Sequence, residues 1–160
     1  MFLRFLFCLG VLGVAAAQDI QRPASFPQVT IQGTARPDAG YFVERVIVNG
    51  RAYSPEQMDQ AGQAALLATG WKSATVKKRQ KLALDWCAQV ALAGKVVLDK
   101  VPDDFADKSS FHPPRAALEK DGKVHVRLYW YRHGGNVRVA VHQYSLGHWS
   151  VAPDGQMKRL

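Results

Sequence analysis

The stretch LYWYRHGGNVRVAVHQYSLGHWS, Leu128 to Ser150, concentrates tyrosine, tryptophan, histidine and arginine, and His125 and Arg127 lie just before it. Histidine exchanges its proton near neutral pH, so His125, His142 and His148 are the acid–base candidates. Arg127 and Arg138 could neutralise an anion, and Tyr129, Tyr131 and Tyr144 could stack on bases or sugars beside them. The ligand-binding set read from the sequence is therefore Arg127, Tyr129, Tyr131, Arg138, His142 and Tyr144. A solvated sheet face uses the same residue types through cross-strand pairing alone.

Other reactive residues point to weaker chemistry. His125, His142 and His148 lack the His-x-His spacing that sets two ligands on one side of a strand. No carboxylate joins them in this reading, so neither a metal nor another cofactor is expected. Cys87 falls on an apolar helical stripe beside Trp86, which fits a buried structural thiol better than an activated one. Asp103, Asp104 and Asp107 lack the regular spacing of a calcium loop. Lys77, Lys78, Arg79 and Lys81 form a basic cluster that reads first as a wet helix face. The chain has no Gly-x-Ser-x-Gly, Ser-x-x-Lys, His-Glu-x-x-His or phosphate-binding glycine loop.

Strands must position these residues, and side chains alternate across a strand, so register decides the faces. A two-residue turn at Gly134-Gly135 would pair Trp130 with Val139, Leu128 with Val141 and Val126 with Gln143. The other face would then pair Tyr131 with Arg138, Tyr129 with Ala140, Arg127 with His142 and His125 with Tyr144. A one-residue slip would bring arginine into the core at a cost of several kcal/mol. A three-residue loop, Ser145-Leu146-Gly147, would bury Trp149 and add His148 and Ser150 to the outer face. A two-residue loop, Leu146-Gly147, would expose Trp149 instead. In this layout His125 and His148 stand a whole strand apart, roughly 10 Å.

Upstream, VTIQGTA and YFVERVIV read as a strand pair, and Asn49-Gly50 as a tight turn. Ser54-Pro55-Glu56-Gln57 is a helix start with a capping box. Met58, Ala61, Gly62, Ala65 and Leu66 share one face of that helix, and Gly70 ends it. A second helix is expected from Ser73 to Ala93, with Leu82, Ala83, Trp86, Cys87, Val90 and Ala91 as its core stripe. KVVLDKV is a candidate short strand, the segment after it a loop, and Lys120-Asp121-Gly122 a hairpin turn. Strands, two helices and a further run of strands imply an α+β fold. The helices would pack on an antiparallel sheet built largely from a C-terminal meander. Cystatin-like and NTF2-like folds share that broad layout, and the likeness is one of architecture only.

The segment Met1–Ala17 resembles a secretory signal peptide. Arg4 precedes an apolar run from Phe5 to Val14, and Ala15-Ala16-Ala17 supplies small residues for cleavage. The run is shorter than the ~20 residues of a membrane-spanning helix. Cleavage would leave 18–28 as a flexible arm and 29–160 as one domain, with no transmembrane segment. The formal charge of +8 for the whole chain would fall to +7 with the loss of Arg4, and Cys87 would be the one remaining cysteine. The expected product is an exported, periplasmic or secreted, basic protein without an internal disulfide.

A positive balance favours an anionic partner, either a polymer (nucleic acid included) or an acidic envelope protein. The leading expectation is a non-enzymatic binding or accessory domain acting through the basic and aromatic sheet face. One alternative is a small hydrolase or lyase that uses a sheet-face histidine as acid–base, with Arg127 or Tyr144 holding an anion. The other is an assembly protein whose sheet face is an oligomer interface.

Overall fold

The computed structural model describes residues 18–36, 40–91, 100, 111–132 and 142–160. Two helices and two four-stranded antiparallel sheets make up these residues, an α+β fold. The first sheet runs in sequence order: β1 (Gln18–Gln21), β2 (Val29–Arg36), β3 (Gly40–Val48) and β4 (Arg51–Tyr53). Between the sheets in sequence come α1 (Met58–Ala68) and α2 (Val76–Trp86). The second sheet is also a meander: β5 (Arg115–Leu118), β6 (Val124–Arg132), β7 (His142–Val151) and β8 (Met157–Arg159).

Local chemistry accounts for the joints. Asn49 and Gly50 both adopt positive φ, 49° and 80°, which is what a two-residue turn between right-twisted strands demands. A single helical turn at Pro55–Gln57 leads into α1, and Gln57 Oε1 accepts the Ser54 backbone N–H at 3.1 Å. Ser54 Oγ itself donates to Glu56 at 2.6 Å. Gly70 closes α1 in the left-handed conformation. The second helix begins later than the apolar period implied, because Thr75 caps it by accepting from Lys78 N–H. Past Trp86 the chain widens into a π-helical turn, Cys87–Ala91.

One core unites these parts. Ile31, Val46 and Val48 from the first sheet meet Ala61, Ala65 and Leu66 of α1 and Leu82, Ala83 and Trp86 of α2. Val124, Val126, Leu128, Trp149, Val151 and Met157 close it from the second sheet. Gly62 is needed where α1 crosses Trp86: a Cβ there would lie 2.7 Å from the indole Nε1 and 2.8 Å from Met157 Sδ. Trp71 is fully buried, and its Nε1–H donates to Ala152 O at 3.0 Å, tying the interhelical turn to the end of β7.

Two expectations are corrected. The segment 18–28 is not a loose arm: β1 pairs with β2, and Phe26 is fully buried edge-on to Trp86 at 5.5 Å. An apolar ring in the core outweighs the loop-like composition around it. The second correction is the C-terminal register. Val126 pairs with Trp149, Leu128 with Gly147 and Trp130 with Tyr144, with a bulge at Leu146. Residues 145–147 thus belong to one continuous strand instead of a loop, and Gly147 faces Leu128 with the Trp149 ring over it. Gly134-Gly135 lies outside the described residues. So do Met1–Ala17, the expected end of the second helix beyond Ala91, the candidate strand of KVVLDKV apart from Lys100, and Asp103, Asp104 and Asp107.

The physical reason for the register difference is parity. Moving an antiparallel pairing by an even number of residues leaves every side chain on its face. Between the expected pairing and the observed one around Val126 the shift is six positions (Gln143 to Trp149). Both registers therefore bury Val126 and Leu128, and apolar segregation does not choose between them. Beyond the bulge the shift is five (Val139 to Tyr144 opposite Trp130), which is odd, and the pairing there is reassigned.

Candidate anion-binding face of the C-terminal sheet

Opposite the core, β5 to β8 present a second face. On β6 it carries His125, Arg127 and Tyr129, with Lys123 just before the strand. Ser150 stands opposite His125, His148 opposite Arg127, and Lys158 of β8 lies opposite Ser150. Arg115 of β5 pairs with Arg127, and Ala117 pairs with His125.

A hydrogen-bonded chain runs across the middle of this face. Asp121 Oδ2 lies 2.9 Å from His125 Nε2, and His125 Nδ1 lies 2.8 Å from His148 Nε2. An ionised carboxylate only accepts, so His125 Nε2–H is the donor to Asp121. With His125 neutral, its Nδ1 then accepts from His148 Nε2–H, and His148 Nδ1 is the position left for a further proton. His125 is buried, at 8% exposure, and His148 is half-buried. The His125 hydrogen bond, followed by the Lys123 backbone N–H, holds the Asp121 carboxyl below its usual range. Burial pushes His148 down from its ordinary value; the charges of Arg127 and His125 add to this, and Glu119 opposes it.

The sequence-derived residues divide accordingly. Arg127 does not stand free: its guanidinium meets Glu119 at 2.8 Å, both side chains being 36% exposed. Tyr129 is half-buried with its ring 5.4 Å from that of His112. Tyr131, His142 and Tyr144 occupy strand positions, opposite Gln143, Arg132 and Trp130. The expected pairings of Arg127 with His142 and His125 with Tyr144 are therefore replaced by Arg127 with His148 and His125 with Ser150. Arg138 lies outside the described residues. The expected separation of His125 from His148 by a whole strand is corrected to a direct hydrogen bond, because β6 and β7 are neighbours and no strand intervenes.

Asp121, Glu119, Lys123, Lys158 and Arg115 escaped the sequence reading. Lys123 could have been found by continuing the alternation back from His125. Asp121 stands four residues before His125, across a turn, where a reach back to the strand is feasible.

Other candidates resolve simply. Cys87 is fully buried, and burial, with Asp59 as a second contribution, raises its thiol far above the usual range, so it stays protonated. Lys77 and Lys78 are exposed on α2, Lys81 pairs with Asp85 at 2.5 Å, and Arg79 donates to the carbonyls of Trp71 and Lys72. Ser25 also donates to Asp85. Among the described residues no three His, Cys, Asp or Glu side chains are grouped to hold a metal ion. No helix among them is long and apolar enough to cross a membrane. Neither family models, nor curated proteins, nor solved structures give a match to the chain.

Proposed function

We propose that the chain is an exported binding or accessory domain that meets an anionic partner, a polymer or an envelope protein, through the outer face of its C-terminal sheet. The observation that carries this reading is the charge on that face. Arg115, Lys123, Arg127 and Lys158 surround His125 and His148, against the carboxylates of Glu119 and Asp121. Arg115, Lys123 and Lys158 are exposed and form no ion pair among the described residues. Their ammonium and guanidinium groups are the ones available to an incoming anion, whereas Arg127 is engaged by Glu119. The signal-peptide layout of Met1–Ala17 supports export.

The test is retention on immobilised heparin. Replacing Arg115, Lys123 and Lys158 together by Ala should move elution to clearly lower salt, and Arg127→Ala alone should move it less. Elution unchanged by the triple substitution contradicts the reading. A second reading, a small hydrolase or lyase, draws on the Asp121–His125–His148 chain, in which the carboxylate fixes the tautomer of the buried ring. It requires turnover of p-nitrophenyl acetate or p-nitrophenyl phosphate that His148→Ala abolishes; activity that survives His148→Ala removes it.

A further inference from the structure

At one end of the outer face the sheet forms a shallow cleft of about 190 Å³, lined by Lys123, Ser150, Ala152, Gln156, Met157 and Lys158. The strand pairing explains the lining. Ser150 sits between His125 on one side and Lys158 on the other. Lys123 precedes His125 by two residues and so shares its face. The cleft is smaller than the roughly 300–1,000 Å³ of pockets that enclose drug-sized molecules. Its size suits a small charged group.

Ser150 is the informative residue. It is more than nine-tenths buried, at 6% exposure, yet its hydroxyl has no hydrogen-bond partner among the described residues. The oxygen is not sealed from water, since among the described residues the one fully buried side-chain nitrogen or oxygen without a partner is Trp86 Nε1, so the Ser150 hydroxyl can be reached from solvent. Its lining position leaves the hydroxyl facing the cleft, between two exposed ammonium groups. The two turns that flank the cleft carry Asp121 and Asp154. Each already accepts a backbone N–H, that of Lys123 at 3.0 Å and that of Gln156 at 2.9 Å.

We infer that this cleft is a subsite for a tetrahedral oxyanion, a phosphoryl or sulfate group, with Ser150 as hydroxyl donor and Lys123 and Lys158 as the flanking cations. This deepens the proposed reading of the outer face and rests on it. Ammonium donors on flexible stems can close on a multiply charged group from two strands, and charge-assisted hydrogen bonds are the strong ones. A carboxylate offers one charge and two oxygens, fewer acceptors than these donors can use. His125 stands beside Ser150 as its cross-strand neighbour, its own nitrogens being engaged by Asp121 and His148.

The experiment is an NMR titration of the full folded chain with inorganic phosphate, inorganic sulfate and acetate at constant ionic strength. Phosphate or sulfate should give saturable amide shifts centred on Lys123, Ser150 and Lys158, with acetate at least about tenfold weaker. Ser150→Ala should weaken binding by roughly three- to tenfold, and Lys123→Ala with Lys158→Ala by more, with the rest of the spectrum unchanged. Tighter phosphate than sulfate assigns a phosphate-bearing partner; tighter sulfate assigns a sulfated one. Shifts that do not saturate, an equal response to acetate, or indifference to all three substitutions overturns the subsite. If the subsite fails while heparin retention still depends on Arg115, Lys123 and Lys158, the subsite alone falls. If that dependence fails as well, the reading of the whole face falls with it.

Discussion

The two faces of the C-terminal sheet are made by the same strands and obey different rules. The inner face is Val124, Val126, Leu128, Trp149, Val151 and Met157, all buried and all apolar. Apolar contact is non-directional, so this face needs only the right side of the strand and about the right volume. The outer face holds His125, His148 and Arg127, joined to one another or to Asp121 and Glu119 by contacts of 2.8–2.9 Å, with Ser150 and the unpaired lysines at its end. Hydrogen bonds between named atoms exist in one register and vanish in the next. One sheet thus carries a face that defines stability and a face whose partnerships depend on register.

Substitutions can break this contrast, and the largest effect belongs to the inner face. Trp149→Ala should cost about 3–5 kcal/mol in chemical denaturation, the range for emptying a large aromatic site in a core. Gly62→Ala tests the opposite wall of that core. Its methyl would press on Trp86 and Met157, and a loss of about 1–3 kcal/mol is expected for overpacking. If both variants unfold at the wild-type denaturant midpoint, the core is assembled differently.

On the outer face the effects shrink. His125→Leu removes one partner from each of two hydrogen bonds of a buried ring, and roughly 1–3 kcal/mol should be lost. The same substitution should free the His148 ring, seen as a change in its imidazole nitrogen shifts. Acid acts through His148, whose folded-state value is depressed by burial. The unfolded chain then binds more protons at and below about pH 6.5, the ordinary histidine value, so the stability from this group is present above that pH and lost as pH falls through the folded value. The denaturant midpoint should therefore drop across that window, and His148→Gln should flatten the drop. Asp121, also depressed, adds a loss only at more acid pH, below the usual carboxylate range. The smallest effect is expected from Lys123→Ala with Lys158→Ala, each within about 0.5 kcal/mol in stability. That change should appear in anion binding and not in folding.

The same contrast decides what could be read from the chain. The α+β class, Asn49-Gly50, the Ser54–Gln57 helix start and the stripe Leu82, Ala83, Trp86, Cys87 and Val90 are local or periodic signals, and the structure holds each of them. Residues 125, 126, 127 and 128 sort to the expected sides for the same reason. The contact of His125 with His148 was not legible, because alternation fixes register only to within an even shift and the bulge at Leu146 interrupts even that. Phe26 was missed because a lone aromatic between prolines has no period. Ser150, Lys123 and Lys158 form a cleft only once β8 is paired with β7, a pairing that Pro153-Asp154-Gly155 permits without specifying.

The central claim, that the outer face and not some other basic surface meets the anion, reduces to one measurement. A fluorescent duplex DNA, used as a uniform polyanion, can be titrated over a range of salt with three proteins: wild type, Arg115→Ala/Lys123→Ala/Lys158→Ala, and Lys72→Ala/Lys77→Ala/Lys78→Ala on and before α2. Both variants lose the same formal charge. The outer-face variant should bind more weakly, with the log–log salt slope reduced by about 0.9 for each phosphate contact removed, while the helix variant stays close to wild type. Equal losses in the two variants, or a loss confined to the helix variant, would contradict the account.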